Sequence, residues 1–149
     1  MRGLALLAVL LAVLAAAPAA AAPREVPRGW LGVVVDGPLI APGADALAGE
    51  WDRMAAAGVE SVRVAFYWDE AQPVATAAGL PPADAPRFRL EGGVPTDFTR
   101  TDALVAAAAA RGLQVAPVLQ RSPAWAALRR GDPASPPAAP ATFAAFAGA

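Results

Sequence analysis

The residues best suited to chemistry lie in one stretch, SVRVAFYWDEAQPV, from Ser61 to Val74. An arginine sits inside an apolar run, which then opens onto Tyr67, Trp68, Asp69 and Glu70 before Pro73. Two carboxylates side by side suggest general acid–base work. Neighbours on a loop rarely aim into one site, so Asp69 and Glu70 are expected to be solvated or capping residues. Arg63 carries more information. Along a strand, Val62, Val64 and Phe66 point one way, and Arg63, Ala65 and Tyr67 the other. A buried arginine needs an anionic partner, because an unpaired buried charge costs several kcal/mol. A carboxylate at an active centre, a structural ion pair and a surface position remain open for it. Trp68, and Trp125 further on, are candidates for stacking on a ligand ring or for anchoring loops. Tyr67 is a possible ligand hydrogen-bonding group or a core tyrosine. Asp36, before Gly37, either holds a ligand hydroxyl or makes an Asx-type turn.

Composition removes several alternatives. The 149 residues contain no cysteine and no histidine, so disulfides, thiolate metal sites and histidine-based triads are excluded. The twelve basic residues are all arginine and face thirteen acids, a net charge of −1. No basic stripe suggests nucleic acid. At the N-terminus, a short positive start precedes the apolar run from Leu4 to Ala17, then Pro18 and small residues. This is the pattern of a secretory signal peptide. Cleavage is expected after Ala21, with Ala19 and Ala21 as the small residues. The run is short for a membrane span, which takes ~20 apolar residues. Residues 1–21 are thus read as a signal peptide and 22–149 as the exported part, with no membrane contact after cleavage. Loss of Arg2 makes the charge −2.

The elements that must position these residues alternate. WLGVVVDG, from Trp30, reads as a first strand buried on both faces. Asp45 to Ala57 reads as a helix, with Leu47, Trp51, Met54 and Ala55 on one face and Gly58 at its end. Trp51 is expected in the core, with Glu50 and Asp52 exposed. Val59 to Trp68 is a second strand, and Ala71 to Pro95 a long loop. Thr101 is expected to cap a second helix closed by Gly112. Leu113 to Leu119 is a third strand, in which Pro117 suggests a strand end or bulge. A second long loop, carrying Arg129 and Arg130 as solvated charges, leads to a third helix. Thr142 is its expected cap, with Phe143 and Phe146 on one face. MAAAGVESVRV and AAARGLQVAPV form a weak repeat in which a helix feeds a strand through glycine. The order β-α-β-α-β-α implies parallel strands. The long loops all leave the strands' C-terminal ends, where parallel α/β folds bind ligands.

Three segments carry a family resemblance: AAAGVESVRVAFYWDEAQP, FTRTDALVAAAAARGLQVAPVLQRSPAWAA and PATFAAFAGA. In this order they resemble the first three βα units of clan A glycoside hydrolases, nearest to the family 39 β-xylosidase-like and family 5 cellulase-like proteins. The resemblance runs from about Gly29 to the end. It implies an α/β chain forming the first three units of an incomplete (β/α)8 barrel, from a secreted enzyme that cleaves β-linked glycosides with retention. Metals and organic cofactors are not required. Arg63 matches the strand-two arginine that supports the nucleophile. Trp68 and Trp125 match aromatics near the sugar sites, and Asp36 is a further candidate for holding a sugar hydroxyl, with the Asx-type turn still open. The two catalytic carboxylates of the clan follow strands four and seven, and neither has a counterpart in these residues. The expected partner is a carbohydrate; the sequence leaves oligomeric state open. The competing expectation is a non-catalytic secreted carbohydrate-binding or cell-surface α/β module.

Overall fold

A computed structural model describes residues 26–27, 29–35, 48–132 and 134–149. The expected signal peptide and Asp36 lie outside the described residues. The fold is mixed α/β. Strands β1 (Gly32–Val35), β2 (Ser61–Tyr67) and β3 (Gln114–Gln120) form a parallel sheet in chain order. Between them run helix α1 (Ala48–Ala56), the single turn α2 (Trp68–Ala71) and helix α3 (Thr99–Ala109). Helix α4 (Pro140–Ala147) follows β3. Among the described residues no helix is long and apolar enough to cross a membrane.

Both long helices end in the same way. At α1, the Gly58 N–H donates to the Ala55 carbonyl and the Val59 N–H to Met54; at α3, Gly112 donates to Ala109 and Leu113 to Ala108. These are Schellman closures, which need a left-handed residue that glycine adopts without strain. Gly58 (φ 81°) and Gly112 (φ 70°) supply it. The repeat seen in the sequence is therefore one helix stop used twice, and each stop delivers the chain to a strand.

The main core lies on one face of the sheet. Val35, Val62 and Val64 pack with Trp51 of α1 and with Leu104 and Ala108 of α3. Both helices thus cover the same face. Right-handed crossovers between parallel strands taken in chain order place them there. The opposite face is bare. Val34 is 65% exposed, and its register partner Arg63 and the next across, Ala116, are exposed too. The expectation that the first strand is buried on both faces is therefore corrected: β1 is covered on one side only.

Other departures have local causes. The segment read as a loop from Ala71 to Pro95 holds an antiparallel hairpin, β4 (Arg89–Glu91) with β5 (Val94–Thr96). Its turn is Gly92-Gly93, both at positive φ, as a tight hairpin turn requires. Helix α3 starts two residues before the expected cap. Asp97 Oδ1 accepts from the Thr99 N–H at 2.9 Å, while the Thr101 hydroxyl donates to the Phe98 carbonyl from inside the first turn. Thr142 likewise lies inside α4, which begins with Pro140. Pro117 sits within β3 and is tolerated because β3 is an edge of the sheet.

Candidate functional site at the C-terminal end of the sheet

The polar and aromatic residues converge where β2 and β3 end. Alternation along β2 separates Tyr67 from Trp68. Phe66 belongs to the covered side, Tyr67 is half-buried and packs against the edge of the main core, and Trp68 enters a second core as α2 begins. Trp68 is 1% exposed. Its ring stacks on Phe146 of α4 at 5.4 Å and meets Trp125 and Phe143 edge-on at 5.9 and 5.6 Å. Such pairs contribute about 0.5–1.5 kcal/mol each beyond area burial. Ala71 and Ala126 complete this second core, with Phe98 and Leu119 against it.

A chain of hydrogen bonds fixes the cluster. The Trp68 indole N–H donates to Gln72 Oε1 at 2.8 Å, and Gln72 Nε2 donates to the Thr96 hydroxyl at 2.8 Å. That hydroxyl donates to the Val94 carbonyl at 3.0 Å. The Trp125 N–H donates to the Gln72 carbonyl at 2.8 Å. Gln72 is buried, and through it the hairpin, α2 and the loop after β3 are tied together. The geometry assigns Trp68 to holding these segments, since its ring offers no open face to a ligand. Trp125 is half-buried, with its N–H committed to Gln72.

On the outer side of this cluster lies an ionic rim. Arg121, the first residue after β3, donates to Asp69 Oδ2 at 2.6 Å and to Glu70 Oε1 at 3.3 Å. Glu70 also pairs with Arg100 of α3. The Arg121 guanidinium lies 4.6 Å from the centre of the Tyr67 ring, a cation–π distance. The backbone joins the two strand ends as well, with the Asp69 N–H donating to the Arg121 carbonyl at 3.0 Å. Glu70 is exposed, as expected, and Asp69 is half-buried, and both are paired to arginines.

Arg121 is the one non-glycine at positive φ (63°) among the described residues. A side chain in that region costs of order 1–3 kcal/mol and persists only where the surroundings impose it. Two atoms of its ion pair, Asp69 Oδ1 and Arg121 Nε, are buried without a hydrogen-bond partner. Nothing in the sequence marked Arg121. Its acids are about fifty positions away, and only its place directly after a parallel strand pointed to this end of the sheet.

Arg63 stands apart from this rim. It lies at the middle of β2 on the bare face, opposite Val34 on one side and Ala116 on the other. It is exposed rather than buried, and it has no ion-pair or hydrogen-bond partner among the described residues. The structure thus brings Trp68 and Trp125 together and leaves Arg63 on the other side of the sheet.

Two depressions adjoin the rim. A cleft of about 190 Å³ lies between the end of β2 and the start of α3, with Glu70, Arg87, Asp97 and Arg100 on its walls. A shallower one of about 410 Å³ is lined by Gln120, Arg121, Ala134 and Ser135. Among the described residues no group of three or more Asp or Glu side chains could hold a metal ion. The rim brings together guanidinium–carboxylate pairs and an aromatic ring at the end of the sheet. No protein-family model matches the sequence, and no curated protein matches it.

Proposed function

We propose that this chain supplies one wall of the carbohydrate cleft of a secreted retaining glycoside hydrolase of the (β/α)8 type. The observation that carries the reading is topological. Three parallel strands run in chain order with both long helices on one face, the arrangement of a singly wound barrel. A doubly wound sheet reverses its strand order and is covered on both faces. In a barrel the bare face bearing Arg63 becomes the lumen, where an arginine without a partner in its own strands meets a carboxylate from another. Arg63 then helps keep that carboxylate ionised. The apolar leader of residues 4–17 supports export.

Double displacement needs two carboxyl groups about 5–5.5 Å apart across the sugar. Asp69 and Glu70 are committed to Arg121 and Arg100 and do not meet that need. The catalytic pair is accordingly assigned to strands beyond β3, and the residues of this chain bind and orient. Purified chain is expected to give no turnover of aryl β-glycosides above the buffer rate. Measurable turnover, abolished by Asp69→Asn or Glu70→Gln, would overturn this assignment. A second reading, a non-catalytic carbohydrate-binding module, is favoured by the well-formed aromatic core beneath the rim. It shares the expectation of a folded chain that binds sugar and differs in requiring no catalytic carboxylate pair.

A further inference from the structure

We infer that the Arg121–Asp69 ion pair, together with Gln120 and the depression beside it, is a hydroxyl-reading subsite for a neutral sugar ring. This rests on the carbohydrate reading above and specifies where on the rim, and for which class of sugar, binding occurs. Three observations meet at Arg121. It holds the left-handed backbone conformation at φ 63°. Its Nε and Asp69 Oδ1, on the two partners of one ion pair, are buried and unmatched. It lines the depression of about 410 Å³ with Gln120 and Ser135.

The unmatched atoms are a donor and an acceptor on adjacent groups. One hydroxyl satisfies both: its hydrogen is donated to Asp69 Oδ1 while its oxygen accepts from the Arg121 N–H. Leaving such atoms unmet is costly, so a small opening of the pair that admits a hydroxyl recovers that cost. Both unmatched atoms are shut off from solvent, so a hydroxyl enters only as the pair opens at its outer edge, where the Arg121 side chain is 38% exposed and that of Asp69 24%. Local charge selects the class of ligand. Asp69 and Glu70 balance Arg121 and Arg100, so neither an acidic nor a basic sugar gains from the site. The Gln120 amide, at the end of β3 and on the edge of the depression, adds a further donor and acceptor for a second hydroxyl.

The test is a titration of the full ¹⁵N-labelled chain with xylobiose, following the Arg Nε–H and Gln side-chain resonances, with glucuronic acid as the charged comparison. Saturable shifts at Arg121 Nε–H and at the Gln120 amide are expected with xylobiose, with a much weaker response to glucuronic acid. Asp69→Asn is expected to weaken binding about tenfold. Gln120→Ala, an exposed change that leaves the fold intact, should weaken it a few-fold, and Arg53→Ala on α1 should leave it unchanged. Shifts confined to other residues would overturn the subsite while leaving the carbohydrate reading in place. Shifts nowhere would overturn both.

Discussion

Gln72 joins three segments through one side chain and one carbonyl, and its removal strands a buried indole N–H. Gln72→Leu is expected to cost about 1–3 kcal/mol for that unmet donor alone, measured as a lower urea midpoint with an unchanged slope. Trp68→Ala opens the aromatic core and should cost about 3–5 kcal/mol, whatever happens to ligand binding. A ligand-stacking tryptophan would behave in the reverse way, with binding lost and stability kept. The loop after β3 provides a pH-dependent prediction. The Ala134 N–H, first, and Arg129, second, hold the Asp132 carboxyl below the usual carboxylate range. A lowered folded-state value means the contribution is present above the unfolded value of about 3.9 and is lost as pH falls through the folded one. Amide-exchange protection at Ala134 should therefore fall in acid below about pH 4, and Asp132→Asn should remove that dependence.

The sheet has one working face and one bare face, and substitutions should report the difference. Val64 is 1% exposed among the helices, so Val64→Ala should cost about 2–3 kcal/mol. Val34→Thr, on the bare face, should stay within about 0.5 kcal/mol, read by the same urea unfolding. The elements that were legible in the sequence are those with a local cause. Gly58 and Gly112 announced helix stops, and the β-branched runs after them announced β2 and β3. Phe143 and Phe146 were read onto one face, and both reach Trp68. The hairpin was missed because β4 and β5 are three residues each, too short for alternation to show; its signal was Gly92-Gly93. The start of α3 was misplaced because Asp97, not a threonine, supplies the side-chain acceptor. Among site residues, Trp68 was found but its burial was not, since α4 covers it from about seventy-five positions away. Arg121 was not found because its partners are nonlocal.

At the scale of the whole molecule, the same two facts govern stability and function. Helices cover one face of an in-order parallel sheet, and the C-terminal ends of its strands carry a polar rim over an aromatic core. The aromatic core holds the rim in shape, and the rim presents paired charges, a tyrosine and an amide at the end where parallel α/β sheets bind ligands. Under the proposed function this rim is the recognition surface, and Arg63 on the bare face is the cation that meets a carboxylate from another strand. The central claim is that this end of the sheet binds β-linked carbohydrate. Calorimetric titration of the full chain with xylotetraose tests it most directly. Saturable heat at millimolar sugar is the result expected; a flat titration from a chain shown by its unfolding transition to be folded would contradict the account.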